Sequence, residues 1–423
     1  MSMLDGARIL IVGINYSPES TGIAPYTTAT AQALTSAGAE VTVVTGIPHY
    51  PRWKVSDPRY LAHRTMLEHI DGVRVLRVRH HVPSTPHLLG RARMELSFFL
   101  GAVRAIRSCS TSFDAVIAVT PSISGAAAAL VAPARRGRGV VVQDLTGVGA
   151  AESGAAGATV ARLIARAEQR VLKSYDLVGV IAPRFGDVLS SSELPLDRIV
   201  QVPNFTHITP NPISRTEARV ALGWPTDAFT VVHTGNMGMK QGLESVIDAA
   251  RDAHHRGVPV RFVLVGDGNQ GPQLAQLAAG IPTSHLELVP PLSEDRYPLA
   301  LAASDALLLN ERAGVREMCL PSKLTSYVAA SRPIVAAVEV DGISGRTLSG
   351  ARAAAICSPS DPGALLDTVR ALVMNTARQD ELTTNAAHYG AAHYSAHSAT
   401  LRYQAFAERL LDDRPDAMDE NDG

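Results

Sequence analysis

Short apolar runs alternate with helix-length segments along almost the whole chain, and the alternation stops once and then restarts. Such runs, bounded by turn residues, are too short for helices and read as strands buried on both faces. In the first half they stand at 7–13, 39–45, 72–78, 114–119, 139–143 and 176–181. Helical segments fit between them at 22–37, with Thr21 placed to cap the start, and at 88–108, 124–134, 158–174 and 183–191. This alternation predicts a parallel, doubly wound α/β sheet with right-handed crossovers. The stretch 202–212, VPNFTHITPNP, has three prolines and no period, and reads as a linker. Strands resume at 229–234, 260–265, 285–289, 305–309, 333–338 and 353–357, with helices at 242–256, 271–279, 293–303, 322–330 and 361–373. Two more helices, near 379–390 and 395–412, close the pattern, and the acidic tail 413–423 reads as disordered. The expectation is two doubly wound domains, residues 1–204 and 205–390. Ligands of open parallel sheets bind beyond the carboxyl ends of the strands. Two such edges facing each other predict a deep cleft.

Bulk properties remove several functional classes. A chain of 423 residues that is 46% hydrophobic can bury large cores, and a formal net charge of −1 gives no basic field of the kind nucleic-acid binding needs. Three scattered cysteines, Cys109, Cys319 and Cys357, suit neither a disulfide framework nor a zinc site. The first apolar run is too short for a signal-peptide core, and no window approaches the roughly 20 apolar residues of a membrane helix. The expectation is a soluble, cytoplasmic protein.

The richest local signal is 231–250, VVHTGNMGMKQGLESVIDAA. An apolar strand enters a loop with Gly235, Gly238, Gly242 and Lys240, then a helix with Leu243, Val246, Ile247 and Ala250 at helical spacing. Glycines allow close backbone approach, and a helix start with a nearby lysine suits a diphosphate. Taken alone, Lys240 reads better as a solvated surface lysine. Gly266, Asp267 and Gly268 end a second strand, on the same edge as Gly235 if the sheet is parallel. Farther on, Pro321 starts a helix, with Ser322 and Lys323 where its free N–H groups lie. Glu317 lies four residues earlier, where a carboxylate can face a sugar hydroxyl or merely be exposed. Asp144 follows Gln143 at a strand end, in a catalytic or a turn-capping role. His233 alternates along its strand and reads as structural.

The opening loop 13–26, GINYSPESTGIAPY, lacks the dinucleotide fingerprint, since Asn15 and Pro18 stand where glycines are required. That argues against a nicotinamide enzyme. Thr21-Gly22 at the following helix can present backbone amides to a phosphate. No Asp-x-Asp pair or His/Cys cluster stands in the folded part, so no metal ligands are evident. The segment 87–107 mixes Leu88, Leu89, Phe98, Phe99 and Leu100 with Arg91, Arg93, Arg104 and Arg107. It reads either as a core helix with a basic face or as a helix lying on an anionic membrane.

GINYSPESTGI (13–23), PHYPRW (48–53), the QD at 143–144, GNMGMKQGLE (235–244) and PSKL (321–324) resemble, in order, the motifs of glycosyltransferase family four. These are retaining GT-B enzymes, and the likeness is closest to the colanic-acid-type polysaccharide-assembly glycosyltransferases. The resemblance implies two Rossmann-like domains and a final helix, 391–412, that crosses back to the first. It implies a nucleotide-sugar donor in the second domain, held by Gly235, Asn236, Lys240, Gly266, Asp267, Gly268, Ser322, Lys323 and Leu324, with Gly22 reaching it from the first. A lipid-linked or saccharide acceptor falls to Tyr16, Thr21, His49, Tyr50 and Trp53, and the catalytic set to Lys240, Glu317 and Asp144. The donor is a co-substrate, so the resemblance implies no cofactor and no metal. A GT-B epimerase and a non-catalytic sugar-nucleotide-binding subunit are the alternatives. Cytoplasmic placement at the inner membrane face completes the expectation.

Overall fold

The computed structural model describes residues 2–84, 87–109, 112–147, 158–206, 208, 213–316 and 321–412. The chain divides into two compact units, one of residues 1–203 with 397 onward, the other Asn204–Ala396.

The first unit carries strands β1 (Arg8–Val12), β2 (Glu40–Gly46), β3 (Thr65–Ile70), β4 (Val73–Val78), β5 (Phe113–Val119), β6 (Ala134–Val142), β7 (Leu177–Val180) and β8 (Ile199–Gln201). Their spatial order is β3-β4-β2-β1-β5-β6-β7-β8. Every pairing is parallel except β3 with β4. This corrects the expectation of an all-parallel sheet. β3 alternates exposed and half-buried residues, as an edge strand does, and so lacks the apolar run that marks its neighbours.

Two boundaries differ for identifiable reasons. The first helix is Ala24–Ser36 and is not capped by Thr21; Ile23 occupies the cap and Pro25 fills the first turn, where a missing N–H costs nothing. The helix expected to reach residue 134 is Ile123–Ala129, because Pro133 cannot continue it and the chain enters β6. The closing helix Ala396–Leu411 packs on β6 and β7, where glycines admit it. A Cβ at Gly139 would stand 2.7 Å from the Phe406 ring, and one at Gly179 would stand 3.2 Å away.

The second unit holds β9 (Phe229–Asn236), β10 (Val260–Asp267), β11 (Leu286–Val289), β12 (Ala306–Asn310), β13 (Ile334–Ala337) and β14 (Ala354–Cys357), all parallel, in the order β11-β10-β9-β12-β13-β14. The chain winds outward from β9 to β11, returns to β12 and winds the other way. The loops after β9 and β12 stand where the winding reverses, the usual ligand position of this topology. Val231, Val246, Ile247, Phe262, Leu264, Leu308 and Val335 fill the core beneath it. Helices Arg215–Leu222 and Ile343–Ala351 were not anticipated; the first carries a capping box, Ser214 with Glu217, that its sequence displays.

Candidate active site

The end of β9 is built for close backbone approach. Gly235 and Asn236 pair in register with Gly266 and Asp267 of β10, so the Gly-Asp-Gly turn shares an edge with the lysine loop. Gly266 has φ +150°, and a Cβ there would fall 1.8 Å from the Gly235 carbonyl oxygen. Only glycine fits. At Gly268 a Cβ would meet the Asn236 side chain at 2.6 Å. Asp267 turns its carboxylate to the Gly268 N–H at 2.7 Å, and its carbonyl accepts from Met237 N at 2.8 Å.

Lys240 lies in a single 3-10 turn, Met239–Gln241, and Gly242 follows in the left-handed region. The helix behind it begins at Glu244 rather than 242, with Leu243 as its cap and no side chain capping it. The turn is latched to β12. Arg312 N donates to Lys240 O at 2.8 Å, and Asn310 Nδ2 donates to the carbonyls of Gln241 and Gly242 at 2.7 and 3.0 Å. Gly238 N donates to Gln241 Oε1 at 3.0 Å. These bonds fix the backbone beneath the lysine.

Lys323 opens the helix Lys323–Ala329, with Ser322 exposed at its cap. Its Nζ lies 3.0 Å from His233 Nε2 and beside Gly235, where a Cβ would be 3.7 Å away. Leu324 is fully buried, and its N–H is spent on Pro321 O at 2.9 Å. Next to it, Thr234 N donates to the Tyr327 hydroxyl at 2.9 Å, and the Thr234 hydroxyl meets that of Tyr297 at 3.1 Å. Burial raises the pKa of both phenols, keeping them as neutral hydrogen-bonding groups. The structure thus gathers Gly235, Asn236, Lys323, Gly266, Asp267 and Gly268 at one strand edge, with the Lys240 turn following β9. Glu317 lies outside the described residues.

In the first unit the corresponding switch point lies between β1 and β5. The loop after β1 is held by two residues the sequence did not single out. Glu19 Oε1 accepts from His49 N and Tyr50 N at 2.8 and 2.7 Å, and its Oε2 accepts from Asn15 Nδ2 at 2.8 Å. Arg77 of β4, 1% exposed, donates to the Ser17 carbonyl and pairs with Glu68. Gly22 has φ +67° and packs under the Tyr50 ring, where a Cβ would stand 2.9 Å away. Around it, Thr21 and Tyr50 are exposed, Trp53 is half-buried, and His49 and Tyr16 are buried. Burial pushes the Tyr16 phenol up to about 12. Arg91 stacks over the Trp53 ring at 5.4 Å. Asp144 is half-buried two residues past β6, beside buried Gln143. Among the described residues, no three His, Cys, Asp or Glu side chains are grouped as metal ligands, and no helix is long and apolar enough to cross a membrane.

Residues 21–204 match the family model of the glycosyl transferase 4-like domain, and residues 228–375 that of the glycosyl transferases group 1. Over 378 residues the chain is 30% identical to the colanic acid biosynthesis glycosyl transferase WcaI of Escherichia coli, covering 86% of this chain and 91% of that one. The chain belongs to glycosyltransferase family four. Solved structures establish that this glycosyltransferase has the GT-B fold. Sucrose-phosphate synthase from Thermosynechococcus elongatus superposes with a TM-score of 0.74 at 16% identity, covering 96% of this chain and 99% of that one. Anabaena HepE in complex with UDP and glucose superposes at 0.67 with 16% identity and the same coverage.

Proposed function

We propose that this glycosyltransferase moves a sugar from a nucleoside-diphosphate sugar to a hydroxyl of a lipid-linked or saccharide acceptor in cell-surface polysaccharide assembly, with retention. The supporting observation is the strand edge of the second unit, with the Lys323 ammonium beside Gly235 and the Lys240 turn latched to β12. The relative named for colanic acid biosynthesis and the HepE complex with UDP and glucose support the same reading. In the reaction the bond between the anomeric carbon and the diphosphate oxygen breaks and the bond to the acceptor oxygen forms. The acceptor's proton passes to the departing phosphate, so no strong protein base is needed. Lys240 and Lys323 offset the charge that develops on the leaving diphosphate. Gly235, Asn236, Gly266, Asp267, Gly268 and Ser322 shape the donor site, and Glu317 orients the donor sugar. Acceptor recognition belongs to the first unit, through Thr21, Tyr50 and Trp53, with Asp144 near its strand ends. No metal is required.

The helix Leu88–Ser108 supports a place at an anionic membrane. Its face toward Met94, Phe98 and Ala102 is buried, while Leu89, Leu96 and Leu100 stay exposed beside Arg93, Arg104 and Arg107. Co-sedimentation with phosphatidylglycerol vesicles but not with phosphatidylcholine vesicles is expected; equal recovery with both contradicts membrane attachment by charge.

The reaction is tested by incubating the protein with UDP-, GDP- and ADP-sugars, with EDTA present, and with lipid-linked and saccharide acceptors. An elongated acceptor and released nucleoside diphosphate are expected. An epimerised or free sugar with no elongated acceptor contradicts transfer.

A further inference from the structure

We propose that His233 is a positioning residue of the donor site, its Nε2 lone pair holding the Lys323 ammonium over the backbone at Gly235. The inference rests on reading Lys323 as a ligand of the donor diphosphate. His233 lies in the middle of β9, completely buried, in a strand whose neighbours Val231 and Val232 are core residues. Packing alone favours an apolar residue there, because a buried ring nitrogen is costly unless it is hydrogen-bonded. Both nitrogens have partners: Nδ1 lies 3.2 Å from the Leu308 carbonyl of β12, Nε2 lies 3.0 Å from Lys323 Nζ, and the Asn236 backbone also bonds the ring.

The lysine contact selects the tautomer. An ammonium has donors only. Nε2 must therefore accept, and the ring proton sits on Nδ1, donated to Leu308 O. A carbonyl on the next strand sets the ring, and the ring sets the lysine. Burial, reinforced by the Lys323 charge, holds the imidazole's pKa well below its ordinary value, so the accepting lone pair persists at neutral pH.

The lysine's backbone is anchored as well. The four residues after it, Leu324 to Tyr327, are buried, and the Tyr327 hydroxyl accepts from Thr234 N, one residue along β9 from His233. Strand and helix are thus tied at two successive positions. A free lysine side chain samples many rotamers, and restricting them before the ligand arrives lowers the entropy lost on binding. The arrangement assigns His233 to preorganisation of a cation at a site where negative charge is held.

The test measures binding of UDP, GDP, ADP and dTDP by titration calorimetry, with melting curves, for five proteins. These are wild type, His233→Leu, His233→Gln, Lys323→Met and the double variant His233→Leu/Lys323→Met. His233→Leu is expected to weaken diphosphate binding about 5- to 10-fold. His233→Gln, whose amide oxygen can still accept, is expected to recover most of it. In the Lys323→Met background His233→Leu is expected to add nothing, because the two residues act as one unit. His233→Met replaces the leucine variant if that protein does not fold. The inference is overturned if the His233 variants shift only the melting temperature, or if they weaken binding equally with and without Lys323. Unchanged affinity in Lys323→Met sinks the donor-site reading itself, which separates the two failures.

Discussion

At the residue scale, glycines at the strand ends do more than loosen the chain. Gly266 and Gly223 both have positive φ, yet a Cβ at Gly266 would collide with the Gly235 carbonyl, whereas nothing lies within 4 Å of one at Gly223. Gly266→Ala is expected to cost about 2–3 kcal/mol and to displace Gly235, while Gly223→Ala costs about 1 kcal/mol from backbone strain alone. Chemical denaturation of both variants measures the difference, and equal losses would show that the strand-end contact carries no weight. The lysine loop was legible because glycines, a lysine and a helical period stand within twenty consecutive residues. His233 and Arg77 were not legible in their roles. Their partners lie 90 and 60 residues away, at Lys323 and Ser17, and only the folded sheet brings them together. Glu19 was hidden similarly, since its role is to collect N–H groups from a second loop.

Among the elements, the long parallel strands announced themselves as apolar runs, whereas β8, parallel to β7 but three residues long and only partly buried, went unanticipated. β3 did too, because as an antiparallel edge it buries one face only partly. The helix expected at 242 starts at Glu244, because Gly242 takes the left-handed conformation that ends the 3-10 turn carrying Lys240. At the opposite end of β9 and β12 lies a purely structural device. Asp305 is buried, pairs with buried Arg219 and with Arg215, and accepts from Thr230 N at 2.6 Å. Removing one partner strands a buried charge. Asp305→Ala is expected to lower stability by about 3–5 kcal/mol, and the protein that remains folded should bind nucleoside diphosphate with unchanged affinity. A matching loss of affinity would show that the two strand ends are coupled.

For the whole molecule, two buried histidines tie stability to pH. His80 is pulled down to about 4, chiefly by burial and then by the nearby His49, and His233 is held well below its ordinary value by burial and Lys323. Each pKa is lower in the folded chain than in the unfolded one, so the unfolded state binds more protons below about pH 6.5. Stability is full above that value and falls as pH drops, by about 1.4 kcal/mol per unit for each group, with the His80 share ending near pH 4. Glu168, raised by burial, opposes this trend, because its folded state favours the protonated form. Melts at pH 7, 6 and 5 should show the decline, and His80→Asn, which can still donate to His81 O, should flatten it. An unchanged slope in that variant would remove His80 from the account.

The claim on which the rest depends is that the strand edge around Gly235, Lys240 and Lys323 binds the diphosphate of a sugar nucleotide. The most direct measurement is a thermal-shift series with UDP, GDP, ADP, dTDP and CMP on wild type and Lys240→Ala. A ligand that binds only the folded state stabilises it by about 2.7 kcal/mol at one hundred times its Kd. One nucleoside diphosphate should raise the wild-type melting temperature. Lys240→Ala should melt near the wild-type temperature without ligand and lose most of that shift. A series in which no nucleotide stabilises the wild type, or in which Lys240→Ala keeps the full shift, contradicts the account.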